Sequence, residues 1–126
     1  MTTALLLIAH GSRREEANAD LRRLAEALRQ RGPYPIVVFS YLELAEPTID
    51  SAARQCVEEG ADQVLLLPYF LSAGMHVTRD LQAARDRLCD KYASVRFELC
   101  EPVGLHPMMV EIVLDRARQA ERLEND

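Results

Sequence analysis

The sequence is poor in cysteine that could pair. Cys56, Cys89 and Cys100 are odd in number and far apart, with no C-x-x-C pair. That argues against a disulfide framework and against a zinc knuckle, and leaves free thiols. Nor is there an apolar run near the roughly 18 residues that a membrane span needs. The apolar stretch Ala4 to Ala9 follows no Lys or Arg and leads into His10-Gly11-Ser12-Arg13 instead of a small-residue cleavage site. It reads as a buried strand, not a leader, and a cytoplasmic protein is expected. Positive charge is also short, with 15 Lys and Arg against 20 Asp and Glu and a net charge of −5. Without a basic stripe interleaved with aromatics, no general attraction for nucleic acid is expected, and an anionic ligand must meet locally placed arginines. The sequence has no G-x-x-x-x-G-K-[ST] nucleotide loop and no G-x-S-x-G nucleophile elbow. Magnesium-binding receiver domains need carboxylates after the first and third strands, where this chain has His10 and Pro68-Tyr69. A histidine-type phosphatase would want Arg before the His-Gly pair, and Ala9 stands there.

What is present is a fourfold alternation of strand and helix patterns within 126 residues, a length that suits one domain, 1–126. Thr3 to Ala9 is apolar throughout, the mark of a strand buried on both faces. Glu15 to Arg31 carries Ala17, Leu21, Leu24, Ala25 and Leu28 at helical spacing, and Gly32-Pro33 stops it. Pro35 to Leu42 is β-branched and aromatic, a second strand. Pro47 suits the first turn of a helix that turns Ile49, Ala52, Ala53, Cys56 and Val57 inward and ends at Gly60. Gln63 to Pro68 is the third strand, followed by a loop from Tyr69 to His76. The third helix has Leu81, Ala84, Leu88 and Tyr92 on one face. Ser94 to Cys100 is the fourth strand. The last helix, Pro107 to about Arg122, is expected to be buried through Met109, Ile112, Val113 and Ala117, with Glu121 to Asp126 frayed. Such alternation implies an α/β fold with a parallel four-stranded sheet and helices on both faces. Ligands of such sheets sit beyond the carboxyl ends of the strands.

The loops at that edge hold His10 after strand one, Glu43 after strand two and His76 after strand three. A single loop histidine is ordinarily solvated or a cap. Two of the chain's three histidines at one edge, beside a carboxylate, suit a borderline transition metal. The same groups can accept protons near neutral pH. Gly11-Ser12-Arg13-Arg14 opens the first helix, whose free N–H groups favour an anion, and Arg79 follows His76 closely. Gly74 allows close backbone approach or a positive φ beside His76. Tyr69, Phe70, Leu71 and Met75 could wall a flat macrocycle or merely cover the sheet end. Helix initiation accounts for His106-Pro107.

These motifs resemble a known family. A-H-G-S-R near the N-terminus, Glu43 with Glu46-Pro47-Thr48-Ile49, and P-Y-F-L-S-A-G-M-H-V-T-R-D-L after strand three are similar to the small class II sirohydrochlorin chelatases of siroheme and cobalamin synthesis. The similarity spans essentially the whole chain, and P-V-G-L-H-P resembles the family's fourth loop. The histidine-rich tail of some members is missing. The resemblance implies a chelatase-like, flavodoxin-like arrangement and ATP-independent insertion of a divalent metal into sirohydrochlorin. It makes His10 and His76 the metal-binding, catalytic pair and Glu43 the assisting carboxylate. Ser12, Arg13 and Arg79 become candidates for holding the substrate's carboxylates. The metal is a substrate and no permanent cofactor is implied. Co²⁺ is favoured because the single-domain form resembles the small cobaltochelatases; Fe²⁺ is the runner-up, then Ni²⁺, and a non-catalytic metal or tetrapyrrole carrier is the rival. One such domain offers half a cleft for a ring about 15 Å across, so a homodimer is expected.

Overall fold

The computed structural model describes residues 1–125. Its elements run β1 (Thr3–Ala9), α1 (Glu15–Arg31), β2 (Ile36–Tyr41), α2 (Ile49–Glu58), β3 (Gln63–Pro68), α3 (Met75–Lys91), β4 (Arg96–Leu99) and α4 (Met108–Asn125). The four strands form one parallel sheet in the order β2-β1-β3-β4. β1 lies between two neighbours, with Leu6 beside Val38 on one side and Leu66 on the other. That position explains why it reads as a continuous apolar run: the residues from Ala4 to Ile8 are all buried.

The pleat sends alternate side chains into two cores. Ala4, Leu6, Ile8, Val64 and Leu66 pack with Ala53, Cys56, Leu81 and Leu88 under α2 and α3. Leu5, Leu7 and Val37 pack with Leu21 and Ala25 under α1. Both faces are therefore covered by helices, as alternation requires. Ser40, the buried polar residue of β2, donates its hydroxyl to the Leu7 carbonyl at 3.0 Å and so costs little.

Three expectations need correction. Pro47 precedes α2 instead of opening it; Thr48 is the N-cap, its side chain accepting from the Ser51 N–H at 3.1 Å. α4 is not buried: Ile112 is 51% and Val113 60% exposed, Ala117 is exposed, and Met109 alone among the four is half-buried. Its apolar stripe is real, but periodicity shows that a helix has an apolar face, not which surface covers it. The matching gap lies on the α1 side of the sheet, where Leu65 and Leu67 are only half-buried and Arg96 and Glu98 are exposed. The helix also continues to Asn125, past the expected fraying point, while Asp126 lies outside the described residues.

Candidate active site

The strand order reverses between β1 and β3, since the chain leaves β1 towards β2 and returns across it. The crevice at that point is where open α/β sheets bind ligands, and His10 stands there, one residue past β1. The loops on both sides are bound to the end of β1 by backbone hydrogen bonds. The Leu42 N–H donates to the Ala9 carbonyl at 2.9 Å, the Glu43 N–H to the His10 carbonyl at 3.1 Å, and the Tyr69 N–H to the Ile8 carbonyl at 2.7 Å.

Gly11 makes this closeness possible. Its φ is +100°, and a Cβ there would sit 1.8 Å from the Glu43 carbonyl oxygen. Only glycine lets the Glu43 backbone lie against the His10-Gly11 turn. Gly74, the glycine that the sequence reading favoured, has φ −70° as the α3 N-cap and nothing near its missing Cβ.

His10 and Glu43 line one cavity of about 470 Å³ between α2 and α3, together with Ile49, Val77, Asp80 and Arg87. The His10 ring meets the edge of Phe70 at 5.4 Å between centroids and an interplanar angle of 81°. Phe70 belongs to an apolar wall with Tyr69, Leu71, Val103 and Met109 around a second cavity of about 270 Å³.

His76 is not a loop residue. It is the second residue of α3, exposed, and its neighbours Val77 and Asp80 reach the His10 cavity where it does not. Among the described residues no three His, Cys, Asp or Glu side chains come close enough together to enclose a metal ion. The structure thus brings His10 and Glu43 to one cavity and leaves His76 on the adjacent helix end.

Ser12 is largely engaged. Its N–H donates to Asn18 Oδ1 at 3.0 Å, its carbonyl accepts from Asn18 Nδ2 at 2.7 Å, and its hydroxyl accepts from the Arg14 N–H at 3.0 Å. Asn18 is held in turn by the buried Tyr41, whose hydroxyl donates to the Asn18 carbonyl at 2.7 Å. α1 begins only at Glu15, and Glu15 and Glu16 occupy its first turn, so the helix supplies its own negative charge instead of an open anion site. Arg13 and Arg79 are both exposed. His106 caps α4, its Nδ1 accepting from the Met108 N–H at 3.1 Å. The three cysteines are free; burial pushes the Cys56 thiol up to about 12, with Glu59 adding to the effect.

Asp80, which lines the cavity with His10 and Glu43, was not among the residues expected at the site. The signal was the helical spacing of Val77, Asp80, Ala84 and Arg87, which line this cavity together.

An open parallel α/β sheet with imidazole, carboxylate and aromatic side chains collected at its carboxyl edge defines a small α/β domain whose candidate site lies at the strand ends. Its backbone superimposes on those of several solved structures. The Marinobacter aquaeolei CbiX protein matches with a TM-score of 0.82 at 30% identity, over 98% of this chain and 99% of that one. The Bacillus subtilis SirB structure with Fe³⁺ matches with a TM-score of 0.85 at 30% identity, over 95% of this chain and 48% of that one. Among curated proteins, the Sulfolobus acidocaldarius sirohydrochlorin cobaltochelatase is 33% identical over 95% of this chain and 94% of its own length. The Arabidopsis thaliana chloroplastic sirohydrochlorin ferrochelatase is 32% identical over 89% of this chain and 50% of its own length. The chain therefore spans the archaeal relative almost completely but only about half of the plant and Bacillus proteins. The CbiX family model matches residues 4–120, and the chain belongs to the CbiX family.

Proposed function

We propose that this protein is a sirohydrochlorin chelatase that inserts a divalent metal into the tetrapyrrole without ATP. The observation that carries the reading is the pairing of His10 and Glu43 at the carboxyl end of the central strand, pressed together by the Gly11 contact and bordered by the Phe70 wall. Insertion must strip water from the ion, seat it in the ring and remove two pyrrole protons. His10 and Glu43 supply one imidazole and one carboxylate as transient ligands, and His76 offers a second imidazole from the start of α3. The four ring nitrogens then displace these ligands. The two protons pass to the same bases and on to solvent, so one M²⁺ enters for two H⁺ released. Ser12, Arg13 and Arg79 are the groups proposed to meet the substrate's carboxylates, Ser12 through its remaining hydroxyl hydrogen.

Imidazole and carboxylate ligands serve Co²⁺, Fe²⁺ and Ni²⁺ alike. Cobalt is our preferred metal because the relatives that match over nearly their full length are cobaltochelatases. The test is incubation with sirohydrochlorin and each metal, followed by absorbance. Turnover well beyond one equivalent, fastest with Co²⁺, is expected. Saturation at one equivalent would make the protein a carrier, and faster turnover with Fe²⁺ would move it to siroheme synthesis. The reading includes a cytoplasmic address, supported by three free thiols; among the described residues no helix is long and apolar enough to cross a membrane.

A homodimer belongs to the same proposal. Val110, Val113 and Leu114 of α4 line an uncovered groove of about 410 Å³ with Leu105, and Leu65 and Leu67 are only half-buried. The Bacillus subtilis relatives are about twice this length; here a second copy would supply the other side of the cleft. Val113→Glu should convert a dimer into a monomer by light scattering at micromolar concentration. A wild-type monomer that keeps full activity at nanomolar dilution would sink the dimer.

A further inference from the structure

His10 faces two spaces on opposite sides of the sheet edge. On the α1 side it lines a cavity of about 300 Å³ with Ser12, Tyr41 and Tyr69. On the other side lies the cavity of about 470 Å³ that it shares with Glu43. The second has an apolar floor of Leu42, Ile49, Val77 and Ala84, and its polar groups are His10, Glu43, Asp80 and Arg87. Arg87 is already neutralised, since its guanidinium donates to Asp50 at 3.0 Å. Among the described residues Glu43 and Asp80 have no cationic partner within 4 Å, which leaves two negative charges in the lining.

Asp80 has no structural duty that would explain it. It stands beyond the first turn of α3, where an acidic residue would complement the helix dipole. No side-chain hydrogen bond reaches it among the described residues. The space is large enough for a hydrated ion. Water occupies about 30 Å³ per molecule, so a divalent ion with six waters needs on the order of 200 Å³, which a space of about 470 Å³ admits. A macrocycle bearing eight carboxylates would instead lie across the open edge, against the Tyr69-Phe70-Leu71 wall.

We propose that the cavity between α2 and α3 is the entry vestibule for the hydrated divalent metal, and that Asp80 receives the ion there and passes it to Glu43 and His10. The inference rests on the chelatase reading above. The transfer is ligand exchange: waters leave as carboxylate oxygens and an imidazole nitrogen take their places, and no electron moves. Entry from this side reaches His10 while the ring covers the edge, so metal and macrocycle need not compete for one approach.

The experiment separates the two substrates kinetically. In Asp80→Asn the KM for Co²⁺ should rise about tenfold, the scale of losing one unit charge near a divalent ion in a water-filled space, while the KM for sirohydrochlorin stays within twofold. Asp80→Glu should restore most of the loss. Asp90→Asn, the same change in charge further along α3 and outside the cavity, should leave both KM values alone. Circular dichroism checks each fold. Equal rises in both KM values, or an unchanged metal KM in Asp80→Asn, would overturn the vestibule. If the wild type itself inserts no metal, the chelatase reading fails instead, and Co²⁺ titration by calorimetry still reads the vestibule: Asp80→Asn must weaken binding of the ion alone.

Discussion

Gly11→Ala puts the packing of the site to the test. The added methyl would meet the Glu43 carbonyl oxygen at 1.8 Å, its carbon at 3.1 Å and Tyr41 Cβ at 3.2 Å. Relief requires the two loops to separate by more than about 1 Å, because real Cβ contacts closer than about 3 Å do not occur. Separation breaks the Glu43–His10 backbone hydrogen bond of 3.1 Å, at about 1 kcal/mol. Holding an L-residue at φ +100° costs a further 1–3 kcal/mol or so. A loss of roughly 2–4 kcal/mol should lower Tm by on the order of 10 °C for a chain of this length. Displacement of a ligand by about 1 Å should cut the rate on the order of a hundredfold. Gly60→Ala is the control: its φ of +97° is nearly the same, but nothing lies within 4 Å of its Cβ. It should share the backbone cost and spare the rate. The measurements are thermal melts and Co²⁺ insertion rates for both variants. A Gly11→Ala protein with normal kcat, or one whose defects match those of Gly60→Ala, would refute the claim that this contact sets the site.

Other consequences are quicker to state. His10→Ala and His76→Ala should each abolish insertion while circular dichroism shows an intact fold, and near-normal turnover in either would remove that residue from the mechanism. Glu43→Gln should lower kcat by roughly one to three orders of magnitude, and an unaltered pH–rate profile would count against its role as a base. Charge reversal at Arg13 or Arg79 should raise the KM for sirohydrochlorin more than it lowers kcat, with an effect that salt weakens; two unchanged KM values would place the carboxylates elsewhere. Burial raises both Cys56, to about 12 from an ordinary 9.0, and Tyr41. The unfolded chain therefore releases these protons first, so their contribution to stability is complete below about pH 9 and is lost as pH climbs towards 12. Urea midpoints should be flat across neutral pH and fall above about pH 9, and Cys56→Ala should blunt that fall.

The strands were legible because their physics is local and strict. Thr3–Ala9 has its buried stretch, Ala4 to Ile8, where its apolar run lies, since a parallel strand covered on both faces is filled by apolar side chains. The loops were harder, because their chemistry depends on what lies across the gap. Gly11 and Gly74 look alike in sequence, and only the position of the Glu43 carbonyl singles out Gly11. Ser12 reads as an anion-binding residue until Asn18, six positions on, takes both of its backbone groups. His76 was expected in the loop after strand three, whereas Gly74 is the cap that starts α3 and puts His76 in its first turn. α4 misled in the opposite sense: its stripe was read correctly and its burial inferred from it, although a stripe can equally await a second molecule.

The openness of the site bears on the proposed reaction. A site that closes four ligands around an ion holds it too well to release it. Here His10 and Glu43 are fixed by the β1 edge and His76 rides on another element, and no three donor side chains among the described residues converge on one point. In the proposed reaction two donors on anchored backbone would keep an ion long enough to shed water, and the remaining coordination positions would stay free for ring nitrogens. Rigidity then matters more than affinity, because the donors must stand at a fixed depth beneath the macrocycle while the ion passes between them. The hydrogen bonds from Leu42, Glu43 and Tyr69 to successive carbonyls at the end of β1 anchor the backbone of both loops to a central strand of the sheet. On this view the central strand is part of the chemical apparatus: it sets the height at which the metal changes hands.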